Sequence, residues 1–460
     1  MIELVSSLIL IAIILWLFAQ DRHRDGEISK VLWIPIIWIF IAGSRPVSLW
    51  FHIQVIGTGA DDQLEGSPVD RNILAILILS ALIVLIKRRR KVAALLRTNG
   101  PIIVFLLYCG LSILWSDFPN SALKRWIRIV GDFSMVLVIL TDTCASAAIK
   151  AIFARLGFLI LPLSILFDIG RGFSGRGWHF GLTMNKNMFG MISMILGLGA
   201  VWRCSTMRGG VGVKHRKSLA IYGSLVVMAM WCLWMADSTT STACFLIGSI
   251  LIIFRRWLFA QKRVVIHLFV ALLIFLPLYV IIINPDVGII SDMGKDPTLT
   301  GRTEVWQTVL GMSPSSWFGA GIESFWLGSR LKTLWSIFPW APNEAHNGYI
   351  ETYLNLGWIG IILLSIIMVT GYRKILSGIP HEREISSLRL MFFVVAAVYN
   401  LTEAGFRMFS AVWITFLLAI IADNAINREY MEFQTTTRTT SGFSKSHTLA
   451  EADSGNWTGK

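Results

Sequence analysis

Long apolar runs separated by short, polar and often basic connections dominate this chain of 460 residues. A helix needs about 20 mainly apolar residues, rising about 1.5 Å each, to cross a hydrocarbon core about 30 Å thick. Runs approaching that length fall near residues 2–19, 31–49, 71–86, 101–116, 127–142, 151–169, 187–202, 218–236, 243–254, 264–283, 355–370, 390–404 and 409–425. The pattern predicts an all-α integral membrane protein with about 12–13 transmembrane helices. The first run, Ile2–Ala19, has no basic leader and no small-residue cleavage site, so it reads as a retained helix. The predicted organisation is transmembrane helices with short loops over 1–283, one large extracytoplasmic loop over 284–350, and the last helices over 351–430. A flexible cytoplasmic tail follows over 431–460, where Thr, Ser and Gly leave too few apolar residues for a core.

Composition sharpens this picture. Hydrophobic residues make up 55% and charged residues only 15%, against about 25% charged in an ordinary soluble domain. A net charge of +13 first suggests nucleic acid. The basic residues, however, cluster in KRRRK at Lys87–Lys91 and in the connections 203–217 and 255–263, which share one side if the helices alternate. That is the positive-inside pattern of cytoplasmic loops facing anionic lipid, so no nucleic-acid partner is expected. The cysteines (109, 144, 204, 232 and 244) show no metal-ligand spacing and predict neither a disulfide framework nor a zinc site.

On the opposite side two segments stand out. Gly43–Asp70 is acidic, and Asn284–Ile350 far exceeds the roughly 15 residues typical of a connection without a function of its own. The longer one is rich in Trp and Gly and has helix-like stretches. Thr300 or Thr303 is placed to cap a helix near Arg302, and Asn343 one leading into the next span. His346 then falls near a helix start, where backbone N–H groups favour anions. Lys124, Arg125 and Arg128 sit at an outer boundary against the positive-inside rule, which suggests phosphate contact. His52 and His179 match no ligand or triad pattern and read as structural. Trp306, Trp317, Trp326, Trp335 and Trp340 suit sugar stacking and an interfacial aromatic belt equally well.

Several motifs in this order carry a family resemblance. GRTEVW from Gly301, GAGIESFW from Gly319 and HNGYIETYLNLGWIG from His346 resemble the O-antigen ligase and Wzy-type polysaccharide polymerase superfamily. Trp115–Pro119 with Ala122–Arg125 resembles its upstream segment, Asn185–Asn187 its asparagine motif, and Asn400–Glu403 its late-helix Glu motif. Glu65–Arg71 is similar to the exopolysaccharide-production polymerases of the ExoQ type.

The resemblance implies a GT-C-like inverting glycosyltransferase of the bacterial inner membrane, with its site on the periplasmic side. It also implies an undecaprenyl-diphosphate-linked oligosaccharide as substrate, membrane lipid around it, and chain-length regulators and export proteins as further partners. By the same resemblance Arg302 is a diphosphate clamp and Arg176 a second one. His346 is then the general base or the orienter of the acceptor hydroxyl, because histidine titrates nearest neutral pH. Glu403, traced to a helix end, positions His346 or binds sugar hydroxyls. Trp306 and Asn347 join Lys124, Arg125, Arg128 and Arg176 as substrate-binding candidates. With no acidic metal cluster evident on the outer side, transfer is expected to need no metal or other cofactor. The alternatives are a ligase, which differs only in acceptor, and a lipid-linked sugar transporter. The absence of internal repeats argues against the transporter.

Overall fold

The computed structural model describes residues 11–19, 28–51, 53, 67–170, 179–207, 212–283 and 298–421. Among these the ordered elements are helical and no strand is present. The membrane part begins with α1 (Trp33–Ala42), α2 (Pro68–Lys87), α3 (Arg89–Thr98), α4 (Gly100–Leu111) and α5 (Pro119–Leu140). It continues through α6 (Ala145–Gly170), α7 (Lys186–Thr206), α8 (Val213–Ala236), α9 (Thr239–Leu258) and α10 (Arg263–Ile283). A lobe between α10 and the last helices supplies α11 (Thr298–Gly311) and α12 (Gly328–Ile337). The chain then returns through α13 (Gly348–Gly378), α14 (Arg383–Tyr399) and α15 (Ala411–Ile420).

Six of these helices are long and apolar enough to cross a membrane, and seven if α3 with the segment Gly100–Trp115, bent by 91°, is one span. Where described, the other predicted runs are largely helical too, but shorter or more charged. Two examples explain why. α15 is buried at every position, and α14 is buried from Ser386 to Tyr399, so protein and not lipid surrounds them. α5 carries Lys124, Arg125, Arg128 and Asp132, and its second half packs inward from Gly131 to Ile139. Lipid-facing helices read differently: α2 exposes Ile76, Leu79, Ile83 and Ile86 along one side.

The long outer segment has a core of its own. Val305, Val309, Phe325, Trp326, Leu331, Leu334 and Phe338 pack together with Ala345 and Leu354. Two of the lobe's attachments to the membrane helices position the site.

The first is a break in α13 at Gly357, whose φ of 64° and ψ of −164° interrupt the helix. The N–H groups freed there donate to lobe carbonyls, Trp358 to Ser316 at 2.9 Å and Ile359 to Trp317 at 3.3 Å. Tyr108 Oη donates to the Leu356 carbonyl at 2.9 Å from α4. A buried backbone group without such a partner costs free energy comparable to a lost hydrogen bond.

The second is the N-terminus of α13. Asn347, not the expected Asn343, caps it by accepting from the N–H groups of Tyr349 and Ile350. Its Nδ2 donates to the Leu401 carbonyl at 2.9 Å. The Gly348 N–H donates to the carbonyls of Asn400 and Glu403 at 2.9 and 3.1 Å. A Cβ at Gly348 would collide with the Asn400 side chain, so the approach requires glycine. α11 likewise starts at Thr298, upstream of the expected Arg302.

Candidate active site

Docking α13 on the turn 400–410 brings three predicted residues together. His346 Nδ1 lies 3.1 Å from Glu403 Oε2 and 3.1 Å from Glu344 Oε1. From α11, an Arg302 guanidinium nitrogen lies 3.2 Å from Glu403 Oε1, and another donates to the Thr402 carbonyl. Asn187, two residues past the Asn185 that caps α7, offers Nδ2 at 3.3 Å to both Glu403 oxygens. Glu403 is buried, while His346, Arg302 and Glu344 remain partly exposed. A buried carboxylate is thus held by an arginine, an amide and an imidazole, with the imidazole still reachable from outside.

The backbone around His346 is fixed from both sides. His346 sits in the left-handed region at φ 48°, which for a non-glycine residue costs on the order of 1 kcal/mol or more and persists only under firm support. The support is visible. The Ala345 N–H donates to Glu351 Oε1 at 2.5 Å, and its carbonyl accepts from Trp306 Nε1 at 2.6 Å. Trp326 Nε1 donates to the same Glu351 carboxylate. Asn347 then locks the following residue.

The imidazole feels opposing influences. Burial disfavours its charged form, but the Glu403 hydrogen bond and the charges of Glu344 and Glu403 outweigh that, and Arg302 only partly offsets them. The net result raises its pKa above the usual 6.5. Because both carboxylates address Nδ1, the proton of a neutral imidazole belongs there and the Nε2 lone pair is left to act as a base.

The remaining candidates are placed as follows. Trp306 and Asn347 brace the backbone on either side of His346. Arg125 is buried and donates to the Glu323 carbonyl of the lobe, and Lys124 and Arg128 are half-buried beside it on α5. Arg176 lies outside the described residues, as do His52, half of the acidic segment and the tail. His179 lies 4.0 Å from Asp168.

Asn187 sits in a motif that assigns it no task, and no motif singles out Glu344 or Arg407. The sequence also predicts no acidic cluster on the outer side. The fold corrects this, because Glu344, His346 and Glu403 each offer one ligand atom within 4.8 Å of the others and can hold a metal ion. Arg302 and Arg407 already engage two of those carboxylates, so a cation has to compete with two guanidinium groups.

Residues 224–365 match the family model described as Wzy_C, O-antigen ligase. That span contains Arg302, Glu344 and His346, whereas Asn187 and Glu403 lie outside it. The chain is also 26% identical over 312 residues to the exopolysaccharide production protein ExoQ of Rhizobium meliloti (strain 1021), covering 65% of this chain and 70% of that one. Residues 224–365 of this helical membrane protein are therefore similar to the Wzy_C, O-antigen ligase, family.

Proposed function

We propose that the protein is a membrane glycosyltransferase that polymerises exported polysaccharide. It transfers a glycan from undecaprenyl diphosphate to a sugar hydroxyl of another lipid-linked repeat. The acceptor hydroxyl attacks the anomeric carbon opposite the diphosphate, so the new C–O bond forms as the old one breaks and the configuration inverts. His346 Nε2 takes the hydroxyl proton, and Glu403 and Glu344 stabilise the imidazolium that results. Undecaprenyl diphosphate leaves with the bonding electron pair, and its growing charge is met by Arg302. Preorganised charge of this kind is usually the largest catalytic contribution, and a guanidinium fork suits phosphate oxygens. The charge bias of the loops supports a site on the periplasmic face, and the resemblance to the O-antigen ligase superfamily supports the bacterial inner membrane.

The observation that carries this reading is the joint hold of Glu403 on His346 and Arg302, a base and an anion partner side by side. The similarity to an exopolysaccharide production protein favours polymerisation. The O-antigen ligase description favours the second reading, in which the same site hands glycan to a different lipid or protein acceptor.

One experiment separates them. The purified protein in lipid is given a defined undecaprenyl-diphosphate repeat, and products are resolved by size. A ladder of multiples supports the polymerase. Transfer only to an added acceptor supports the ligase. Neither product, with verified substrate and folded protein, sinks both.

A further inference from the structure

Arg407 belongs to no motif named above, yet it is the hinge of a second ionic system behind His346. Its guanidinium lies 2.7 Å from Glu344 Oε2 and 3.4 Å from Glu323 Oε2. Glu344 uses its other oxygen on His346 Nδ1, at 3.1 Å. One carboxylate is therefore stretched between the imidazole and an arginine, each taking one oxygen. Glu344 is partly exposed and precedes the braced residues 345–347, so its direction depends on these two contacts.

The charged groups facing His346 are Glu344 from its own segment, Arg302 from α11 and Glu403 from the turn 400–410, with Arg407 of that turn behind Glu344. Glu323 and Glu351 stand behind Arg407. Glu323 is itself immobile, because Arg125 holds its backbone carbonyl and the Met408 N–H donates to its Oε1 at 3.3 Å. Glu351, Thr352 and Asn355 line the same small cavity as Arg407 and Glu323, with about 30 Å³ for water. The anchor for Arg407 is thus built into the lobe and α13.

We propose that Arg407 is a positioning residue that keeps Glu344 turned onto His346, so that the base is set by two carboxylates and not by Glu403 alone. The proposal rests on His346 being the reactive group, but its test does not need turnover. Two effects of removing Arg407 have opposite signs. If Arg407 acts only as a nearby cation, its loss leaves more negative charge around the imidazole and raises the His346 midpoint. If it acts by holding Glu344, its loss lets that carboxylate swing to solvent, and the midpoint falls.

The measurement is the pH dependence of His346 modification by diethylpyrocarbonate, which attacks the neutral imidazole, read by mass spectrometry of the His346 peptide. Wild type, Arg407→Met, Arg407→Lys, Glu344→Gln and the Arg407→Met/Glu344→Gln double variant are compared in lipid after a check of monodispersity. The expected result is a midpoint lowered by about one pH unit in Glu344→Gln and by somewhat less in Arg407→Met. The double variant should lie no lower than Glu344→Gln alone, and Arg407→Lys should stay near wild type. A raised or unmoved midpoint in Arg407→Met overturns the proposal, as does full additivity in the double variant. Should Arg407→Met not fold, Glu344→Gln and Arg407→Lys still decide: an unmoved Glu344→Gln midpoint removes the lever through which Arg407 is said to act. Polymer synthesis on the same samples is a separate readout. Its absence in wild type counts against glycosyl transfer and leaves the titration result standing.

Discussion

His346 and Glu403 are 57 positions apart in sequence and joined by a 3.1 Å contact between Nδ1 and Oε2, made because the start of α13 is bound to the turn that carries Glu403. Removing either partner should act on the rate in a distinguishable way. His346→Ala deletes the base and should lower turnover by about 10²–10⁴-fold. Glu403→Gln keeps the shape but frees Arg302 and weakens the hold on the imidazole, so a smaller loss, about 10²-fold, is expected. Single-turnover polymer synthesis checks both, and near-wild-type turnover in His346→Ala would remove it from the chemistry.

The pH response has two opposite faces. As a base His346 must be neutral, and its pKa is raised by Glu403 and Glu344 against the effect of burial. Activity should therefore fall on the acid side with a midpoint above the ordinary value of about 6.5, and Glu403→Gln should move that limb down. Stability runs the other way. The ion pairs of protonated His346 help the folded lobe most below the unfolded pKa of about 6.5, and that help is lost as pH rises through the raised folded value. Rate and thermal midpoint measured across pH should change in opposite senses. A limb below the ordinary histidine range would contradict the electrostatics of the cluster.

Metal dependence is open to a direct test at Glu344, His346 and Glu403. With both carboxylates already on guanidinium groups, chelation should change the rate by less than about twofold. Complete loss with chelator, restored by a divalent cation, would instead make these residues metal ligands.

Gly348 offers a stability test at the cap beside the site. A methyl group there meets the Asn400 side chain, and overpacking of this sort costs about 1–3 kcal/mol. Gly348→Ala should lower the thermal midpoint and, by shifting the cap, reduce turnover more than substrate affinity. Unchanged stability and rate would show that the contact with Asn400 yields freely.

Much of this was legible in the sequence because it is periodic or electrostatic. Apolar runs marked the helices, since lipid leaves few other ways to satisfy a backbone. The motif around Arg302, His346 and Glu403 named three residues that the fold then brought together. Other features depend on neighbours far along the chain. α14 and α15 look like ordinary spans until their burial within protein is seen. Asn343 and Asn347 are equal as caps by residue type, and only the bond from Asn347 to Leu401 distinguishes them. Arg407 looked like one more loop arginine because its partners, Glu323 and Glu344, lie 84 and 63 positions away.

The break at Gly357 divides α13 between two solvents. Its large exposed apolar side chains, Trp358, Ile362, Ile366 and Val369, all follow the break, and residues 358–378 at about 1.5 Å each measure about 30 Å, one hydrocarbon thickness. With the hydrocarbon thickness taken up by residues 358–378, the stretch from Gly348 to Gly357, up to about 15 Å long, would stand clear of it, with His346 at its end. A headgroup layer is only about 5–8 Å deep, so a stretch of that length is enough to carry the imidazole past it.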